Sequence, residues 1–178
     1  QRNRKNRLSN WSVYSLQIDD QGRPVVFDYL PKGEQWFMVG RLDINTSGLL
    51  LFVNRGDVAH QLMHPSSEIE RVYCFKTIRP LNDETLDALL DGVILEDGPA
   101  SFARLCKRPK HARWYVGVLK EGRNRLVRRL VQHVGTDIVK LRRTQFGDIR
   151  LNKNHLSGDI ESLTESEAKW LKRKLDLF

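Results

Sequence analysis

The order of strand-like and helix-like segments is the feature of this sequence that most constrains its fold. Short apolar runs bounded by turn residues predict strands, whereas capping signals and apolar residues at helical spacing predict helices. The two kinds of segment are interspersed along the chain, but they do not alternate regularly. This arrangement favours an α+β fold over a doubly wound parallel sheet. The predicted strands are residues 11–18, 48–53, 71–78, 100–106, 113–119 and 138–144.

Three helices are predicted from capping and periodicity. The first has Asn82 as its N-cap and ends at Gly92. The second covers residues 124–134, and the third begins at Thr164, where Glu167 completes a capping box. On the second helix the apolar residues form one stripe, and we expect the opposite side to carry Arg125, Arg128, Arg129 and Gln132.

The composition is that of a globular chain of 178 residues with 40% apolar side chains. We expect a basic disordered tail at residues 1–10 and one domain at 11–178. No apolar run approaches the roughly 18 residues that a membrane helix needs, and the start lacks the pattern of a secretory signal. Cys74 and Cys106 lack metal-type spacing, which predicts reduced core thiols rather than a disulfide. Together these features predict a cytoplasmic protein without membrane association.

The net charge of +8 is unevenly distributed along the chain. Residues 1–100 contain 11 Lys and Arg against 14 Asp and Glu, whereas residues 101–160 contain 15 against 4. A segment with a surplus of +11 suits a polyanion, most often nucleic acid. The alternative is a basic, solvated surface without a specific partner.

Several common kinds of site are missing from the sequence. There is no Gly-rich phosphate loop, no dinucleotide fingerprint and no Gly-x-Ser-x-Gly elbow. His60 and His64 are four residues apart, but no third metal ligand is evident near them, so we expect no metal site.

The polar loop before the run Gly48–Val53 contains a single carboxylate, Asp43. Spacing alone suggests that this aspartate caps a turn. An ionised, rigidly held carboxylate can also act as a nucleophile, and an arginine partner keeps it charged. Arg41 is one such partner, and the segment 120–130 supplies four more arginines at the start of a helix. The alternative for that cluster is a solvated or phosphate-contacting surface.

The segment GRLDINTSGLLL, residues 40–51, resembles the catalytic motif of pseudouridine synthases of the RsuA-type family, which modifies bacterial ribosomal RNA. The resemblance spans residues 19–151. Within it, the segments LMHPSSEIERVY and LEDGPASF are most similar to the family's large-subunit enzymes. It implies the pseudouridine synthase fold, a mixed, mostly antiparallel central sheet flanked by helices. The other matching segments, in order, are residues 19–31, 55–77, 90–105, 119–135 and 141–151.

The resemblance also implies roles for individual residues. Asp43 would be the catalytic aspartate, and Arg128 would pair with it. Tyr73 would stack on the target uracil and help to remove the proton from the base carbon. Leu141 would pack beside the base, and Arg41 would fill the space that a flipped nucleotide leaves. The remaining expected substrate contacts are Asn45, Arg123, Arg125, Arg129 and Arg143. The residues themselves leave an alternative open, in which Tyr73 and Leu141 are ordinary core residues and Arg128 contacts phosphate.

The implied activity is the isomerisation of uridine to pseudouridine in ribosomal RNA, with the large-subunit 23S rRNA as the expected substrate. Nothing is oxidised or added in this reaction, so we expect no cofactor and no metal, and we expect a monomer. The aspartate either attacks the sugar carbon or removes a sugar proton, and the sequence does not choose between these routes. The alternatives are a non-catalytic RNA-binding or ribosome-assembly protein with the same fold, and a DNA-binding protein.

The sequence departs from the family pattern in three places. Family members usually carry a small RNA-binding module ahead of the catalytic domain, and we expect that module to be absent here. Residues 8–18 stand where the family has a strand beginning Lys-Pro-Gly. Leu126 stands where the family often has Gln, and we expect only a local change in packing.

Overall fold

The computed structural model describes residues 12–15, 27, 30–152, 154 and 159–176. The expected tail at 1–10 lies outside these residues, and so does most of the predicted strand 11–18. The described elements, in chain order, are β1 (Ser12–Ser15), β2 (Phe37–Val39), β3 (Ser47–Val53), α1 (Gly56–Met63), β4 (Arg71–Thr77), α2 (Asp83–Asp91), β5 (Val93–Leu95), β6 (Gly98–Ala100), β7 (Arg104–Lys107), β8 (Trp114–Leu119), α3 (Leu126–His133), β9 (Ile138–Phe146), β10 (Ile149–Arg150), β11 (Ile160–Ser162) and α4 (Glu165–Lys174).

The chain divides into two compact units. The first takes its residues from 1–67 and 148–178, and the second is Glu68–Gly147. The strand pairs described within each unit are antiparallel.

The first unit is organised around β3. This strand pairs with β1 and β2, and β1 also pairs with β11. The predicted apolar run 48–53 forms most of β3, and every residue of that run is buried. Leu50 and Phe52 pack in a core cluster with Leu30 and Leu42. A strand buried in this way is a rigid support for the loop that precedes it.

The second unit has a sheet with strand order β9-β4-β8-β7 and a separate hairpin of β5 and β6. One face of the sheet packs in a core that also contains buried residues of α2 and α3. Phe75 on β4 stacks on Tyr115 of β8 with 5.6 Å between ring centroids, and on Phe102 with 6.0 Å. Gly117 on β8 is required for this packing, because a Cβ there would lie 2.6 Å from the Phe102 ring.

Several predicted elements are confirmed. The Asn82 side chain caps α2 by accepting a hydrogen bond from the Thr85 amide at 2.9 Å, and the helix ends at Gly92. Thr164 and Glu167 form the predicted capping box of α4. Leu126 is buried on the apolar side of α3.

Other predictions are wrong in detail. The predicted strand 100–106 is two strands, because Gly98–Ala100 pairs with β5 whereas Arg104–Lys107 pairs with β8. The second helix starts at Leu126 rather than at residue 124, since Arg125 has a left-handed φ of 49°. Arg128 does not lie on an exposed side of that helix, because it is buried.

The sequence also predicts reduced core cysteines and no membrane helix. Cys74 and Cys106 are free thiols, but Cys106 is exposed, so the prediction that it lies in the core is wrong. Within the described part of the chain, no helix has the length and apolarity to cross a membrane.

Candidate active site

The loop that carries Asp43 is held at both ends by the first unit. Gly40 begins the loop with a φ of 77°, a conformation that favours glycine. Leu42 and Thr46 are both buried, so they anchor the loop on either side of Asp43. The Asp43 carbonyl accepts a hydrogen bond from the Thr46 amide at 2.8 Å, which closes a tight turn.

The side chains of this loop differ in their exposure. Asp43 is half-buried, whereas Arg41 and Asn45 are exposed. The main-chain bond already closes the turn, so the Asp43 carboxylate is not needed for that purpose. The loop therefore presents a fixed carboxylate flanked by an exposed arginine and an exposed amide.

The second unit holds the predicted aromatic residue. Tyr73 lies on β4, opposite Gly117 of β8 and opposite Arg143 of β9. Its half-buried side chain packs against the core cluster. The register of β4 with β9 shifts between Val72 and Tyr73, and such a bulge re-aims the neighbouring side chains.

Arg128 and Leu141 are both buried in the second unit. Arg128 on α3 is only 8% exposed, and its Nη1 donates to the Ile138 carbonyl at 3.4 Å. Leu141 on β9 belongs to the core cluster. A buried guanidinium stays charged, so Arg128 places a permanent positive charge in a desolvated position. Its pairing with Asp43 stays a prediction, because the two residues belong to different units.

Two further arginines are buried in the second unit around one aromatic ring. Arg143 on β9 is 3% exposed and Arg71 on β4 is 5% exposed. Their guanidinium carbons lie 5.8 and 5.1 Å from the centroid of Phe146. Arg71 Nη1 donates to the carbonyls of Ile69 at 2.7 Å and Lys120 at 3.0 Å. Burial lowers the pKa of Arg71 from its ordinary value.

The sequence predictions did not include Arg71. The signal that could have identified it is its spacing from Tyr73, since residues two apart on a strand share a face. An arginine on the inward face of a strand is unusual unless its charge has a structural or functional use.

The arginine cluster at the start of α3 has carboxylate partners that the sequence did not predict. Arg123 Nη1 and Arg129 Nη1 lie 2.9 and 2.8 Å from Asp97 Oδ1. Arg123 Nε also lies 2.7 Å from Glu121. The hydrogen bond from Arg129, followed by the charge of Arg123, lowers the pKa of Asp97. Arg125 is exposed and lies just before the helix.

The structure does not assemble a metal site from the residues it describes. No group of three His, Cys, Asp or Glu side chains comes together among them. His60 and His64 lie with ring centroids 5.7 Å apart, and His64 Nδ1 is 2.7 Å from the Ser66 hydroxyl. The second histidine is therefore engaged by the turn that follows α1.

Comparison with known proteins identifies the family of this chain. Residues 26–133 match the model of the family described as RNA pseudouridylate synthase. The chain belongs to the RNA pseudouridylate synthase family. Asp43, Tyr73 and Arg128 all lie within the matched region.

Curated relatives carry a more specific name. The ribosomal large subunit pseudouridine synthase B of Yersinia pestis is 44% identical over 163 residues, which cover 89% of this chain and 51% of that protein. The protein of the same name from Escherichia coli strain K12 is 44% identical, with 89% and 56% covered. That from Xylella fastidiosa strain 9a5c is 43% identical, with 89% and 35% covered. The chain spans about half the length of the curated relatives that it matches.

Solved structures show the fold of this chain. A crystal structure of a pseudouridylate synthase has a TM-score of 0.79 at 23% identity and covers 90% of this chain and 73% of its own. A Cbf5-Nop10-Gar1 complex contains a chain with a TM-score of 0.63 at 14% identity, with 85% and 53% covered. The predicted α+β pseudouridine synthase fold is confirmed.

Proposed function

We propose that this chain isomerises uridine to pseudouridine in ribosomal RNA, with the 23S rRNA of the large subunit as its substrate. The observation that supports this most directly is the 44% identity, over 89% of the chain, to proteins named ribosomal large subunit pseudouridine synthase B. The rigid presentation of Asp43 before a buried strand is in keeping with it.

The proposed reaction is centred on the Asp43 carboxylate. It either attacks the sugar carbon C1′ or removes a proton from the neighbouring sugar carbon, and in both routes the bond from C1′ to N1 of uracil breaks. The detached base turns and a bond forms between C1′ and C5; in the first route the bond from Asp43 to C1′ breaks, and in the second the proton returns to the sugar carbon. C5 then loses its proton while N1 gains one. The product has the same atoms as the substrate, so the reaction needs no oxidant and no group donor.

The other site residues support this reaction in the proposal. Arg128 pairs with Asp43 and orients its carboxylate, and Tyr73 stacks on the base and assists loss of the C5 proton. Leu141 packs beside the base, while Arg41 fills the gap left in the RNA when the uridine is flipped out. The proposed remaining contacts to RNA are Asn45, Arg123, Arg125, Arg129 and Arg143.

The proposed RNA contacts of Arg123 and Arg129 have to be compatible with the ion pairs that these side chains already make. Both already bind Asp97, so a contact to RNA phosphate would share or replace that carboxylate. Arg125 is the exposed member of the cluster and the one best placed to contact phosphate without breaking an ion pair.

We also propose that the protein is a cytoplasmic monomer with one catalytic domain at residues 11–178. The bacterial relatives are named for the ribosomal large subunit, and a protein with that role would work where ribosomal RNA is made and assembled. Light scattering on the purified chain measures its mass in solution. A mass of twice the 20.7 kDa of one chain would contradict the monomer.

The test of the activity compares wild type with Asp43→Asn on transcribed 23S rRNA. We expect pseudouridine only with wild type, and equal binding of both proteins, because the change removes a charge and keeps the shape of the side chain. Absence of pseudouridine with wild type would leave the non-catalytic RNA-binding function as the better hypothesis. Competition binding with duplex DNA distinguishes both of these RNA hypotheses from a DNA-binding protein. If the ligand is RNA, duplex DNA should displace structured RNA poorly.

A further inference from the structure

The two faces of the sheet in the second unit differ in burial. Residues directly opposite each other in an antiparallel pair share a face, so the strand register shows which side chains lie on each face of the sheet. Phe75, Tyr115 and Leu141 lie on the face that packs in the core. On the other face Val118 is buried, but the remaining side chains, named next, are half-buried or exposed. We call this the open face, and it consists of Cys74, Lys76, Arg104, Cys106, Arg108, Trp114, Val116, Lys140 and Arg142.

Positive side chains are aligned in rows across the open face. Lys76 on β4 is directly opposite Lys140 on β9 and directly opposite Trp114 on β8. In the next row Arg142 is opposite Cys74. Like charges at directly opposed positions of a sheet are destabilising. The pair Lys76 and Lys140 therefore raises the free energy of the unliganded sheet, and a bound polyanion would relieve that repulsion.

Arg108 brings a further cation to the same face. Its amide donates to the Trp114 carbonyl at 2.8 Å, at the end of the β7–β8 pairing. Its guanidinium carbon lies 6.0 Å from the centroid of the Trp114 ring, and its Nη1 lies 3.8 Å from Cys74 Sγ. A half-buried indole with a cation beside it is the arrangement on which a nucleic-acid base stacks while its phosphate is neutralised.

The open face has no carboxylate within its rows. One cation of the open face is paired, since Arg104 at its edge binds Glu70. The other ion pairs described in the second unit lie off this face: Asp97 binds Arg123 and Arg129, Glu121 binds Arg123, and Glu68 binds Lys120. Among the described residues, no ion pair involves Lys76, Arg108, Lys140 or Arg142. The positive charge there is thus not compensated by the protein, in contrast to the cluster around Asp97.

We propose that the open face is a second RNA-binding surface, separate from the residues assigned to the reacting uridine. Phosphates of an unpaired RNA segment bind Lys76, Lys140 and Arg142, and a base stacks on Trp114 beside Arg108. This inference rests on the proposed function, because it takes the RNA substrate as the ligand. The aromatic platform favours RNA over an acidic protein, since an acidic chain would use the cations but has no need of a stacking ring.

The first test removes the three cations together. The variant Lys76→Gln, Lys140→Gln, Arg142→Gln is compared with wild type by fluorescence anisotropy on a labelled 30-nucleotide RNA hairpin with a uridine-rich loop. We expect its Kd at 100 mM KCl to rise about tenfold or more, and the slope of log Kd against log salt to fall by about 2, since each lost phosphate contact removes about 0.7.

The matched control removes three charges from another element. The variant Lys172→Gln, Arg173→Gln, Lys174→Gln changes the last turn of α4 in the first unit. It should keep the wild-type Kd within about twofold and keep the salt slope. Equal losses in the two triple variants would overturn the proposal, because only net charge would then matter.

Three further measurements identify the ligand and check folding. Trp114→Leu should weaken RNA binding severalfold without changing the salt slope, and Trp114→Phe should restore most of the affinity. The open-face triple variant should melt at or above the wild-type temperature, because the change removes the repulsion of Lys76 and Lys140. A polyglutamate of equal charge that competes as well as the RNA hairpin would contradict an RNA ligand.

The outcome separates this inference from the proposed activity. If wild type forms pseudouridine and the triple variant binds RNA like wild type, only the proposal for the open face is overturned. If wild type forms no pseudouridine but its RNA binding depends on the open face, the proposed activity is overturned and the proposed RNA-binding surface is retained.

Discussion

Burial sets Arg128 apart from the arginines that neighbour it in sequence. It is 8% exposed, whereas Arg125 is exposed, and Arg123 and Arg129 are engaged with Asp97. A buried cation cannot reach a phosphate on the surface without a large rearrangement. Burial therefore argues against a contact of Arg128 with the RNA backbone, and its pairing with Asp43 stays a prediction.

We predict that Arg128→Ala lowers the single-turnover rate of pseudouridine formation about 10²-fold or more, while RNA affinity changes little. Arg128→Lys should also be slow, because one ammonium cannot make the bidentate pair of a guanidinium. The matched control is Arg125→Ala, which should weaken binding and leave turnover of bound RNA unchanged. Circular dichroism checks that the variants fold. An Arg128→Ala protein that binds weakly and turns over normally would show that the role is wrong.

Gly117 is a second residue whose effect follows directly from the geometry. It lies opposite Tyr73, and an added Cβ would lie 2.6 Å from the ring of the buried Phe102. We predict that Gly117→Ala lowers the free energy of unfolding by about 1–3 kcal/mol, measured by urea denaturation. Gly122→Ala is the matched control, because its Cβ would meet its nearest neighbour, Arg71, at an ordinary 3.5 Å. Equal stability of the two variants would contradict the packing argument.

At the scale of elements, α3 depends on contacts from the β5–β6 hairpin. Asp97 lies in the turn of that hairpin, and its carboxylate binds Arg123 before the helix and Arg129 within it. The hydrogen bond from Arg129 lowers the pKa of Asp97. A carboxyl with a depressed folded-state pKa stabilises the protein above its unfolded value near 3.9, and that contribution is lost as pH falls through the folded value.

We therefore predict a pH-dependent effect of Asp97→Asn on the melting temperature. The variant should melt below wild type at pH 7, and the difference should shrink as the pH falls below about 4, where wild type loses the same charge. Glu165→Gln is a suitable comparison, because Glu165 pairs with the exposed Lys169 one turn further along the same helix, α4. A difference for Asp97→Asn that stays constant down to pH 2 would exclude the ion pairs as its cause.

The elements also show what local sequence could and could not predict. Three features were predicted because each signal lies within a few neighbouring residues: the Asn82 cap, the capping box at Thr164 and the buried run that ends at Val53. The ion pair between Asp97 and Arg129 was not, because 32 residues separate the partners and no local pattern encodes their approach. The burial of Arg128 was missed for a related reason, since periodicity assigns an arginine to the solvent side whatever lies beside it.

At the scale of the whole molecule, positive charge is concentrated in the second unit. That unit contains 16 Lys and Arg against 10 Asp and Glu, so it holds +6 of the net charge of +8. Some of this charge is committed to Asp97 and Glu121, and some is buried at Arg71, Arg128 and Arg143. The cations that remain for the proposed RNA contacts include those of the open face, so the positive charge of residues 101–160 taken alone overestimates the proposed binding surface.

A molecule that binds RNA mainly through such cations should be strongly sensitive to salt, whereas its chemistry should not be. We predict that raising KCl from 50 to 200 mM weakens binding of the wild-type chain to the RNA hairpin about 10²-fold or more, because several counterions are released on binding. The single-turnover rate at saturating protein should change by less than about threefold, since buried charges such as Arg128 are screened much less than exposed ones. Asp43→Asn should give the same salt slope as wild type. A Kd that is insensitive to salt would mean that stacking and shape, rather than the basic surface of the second unit, hold the RNA.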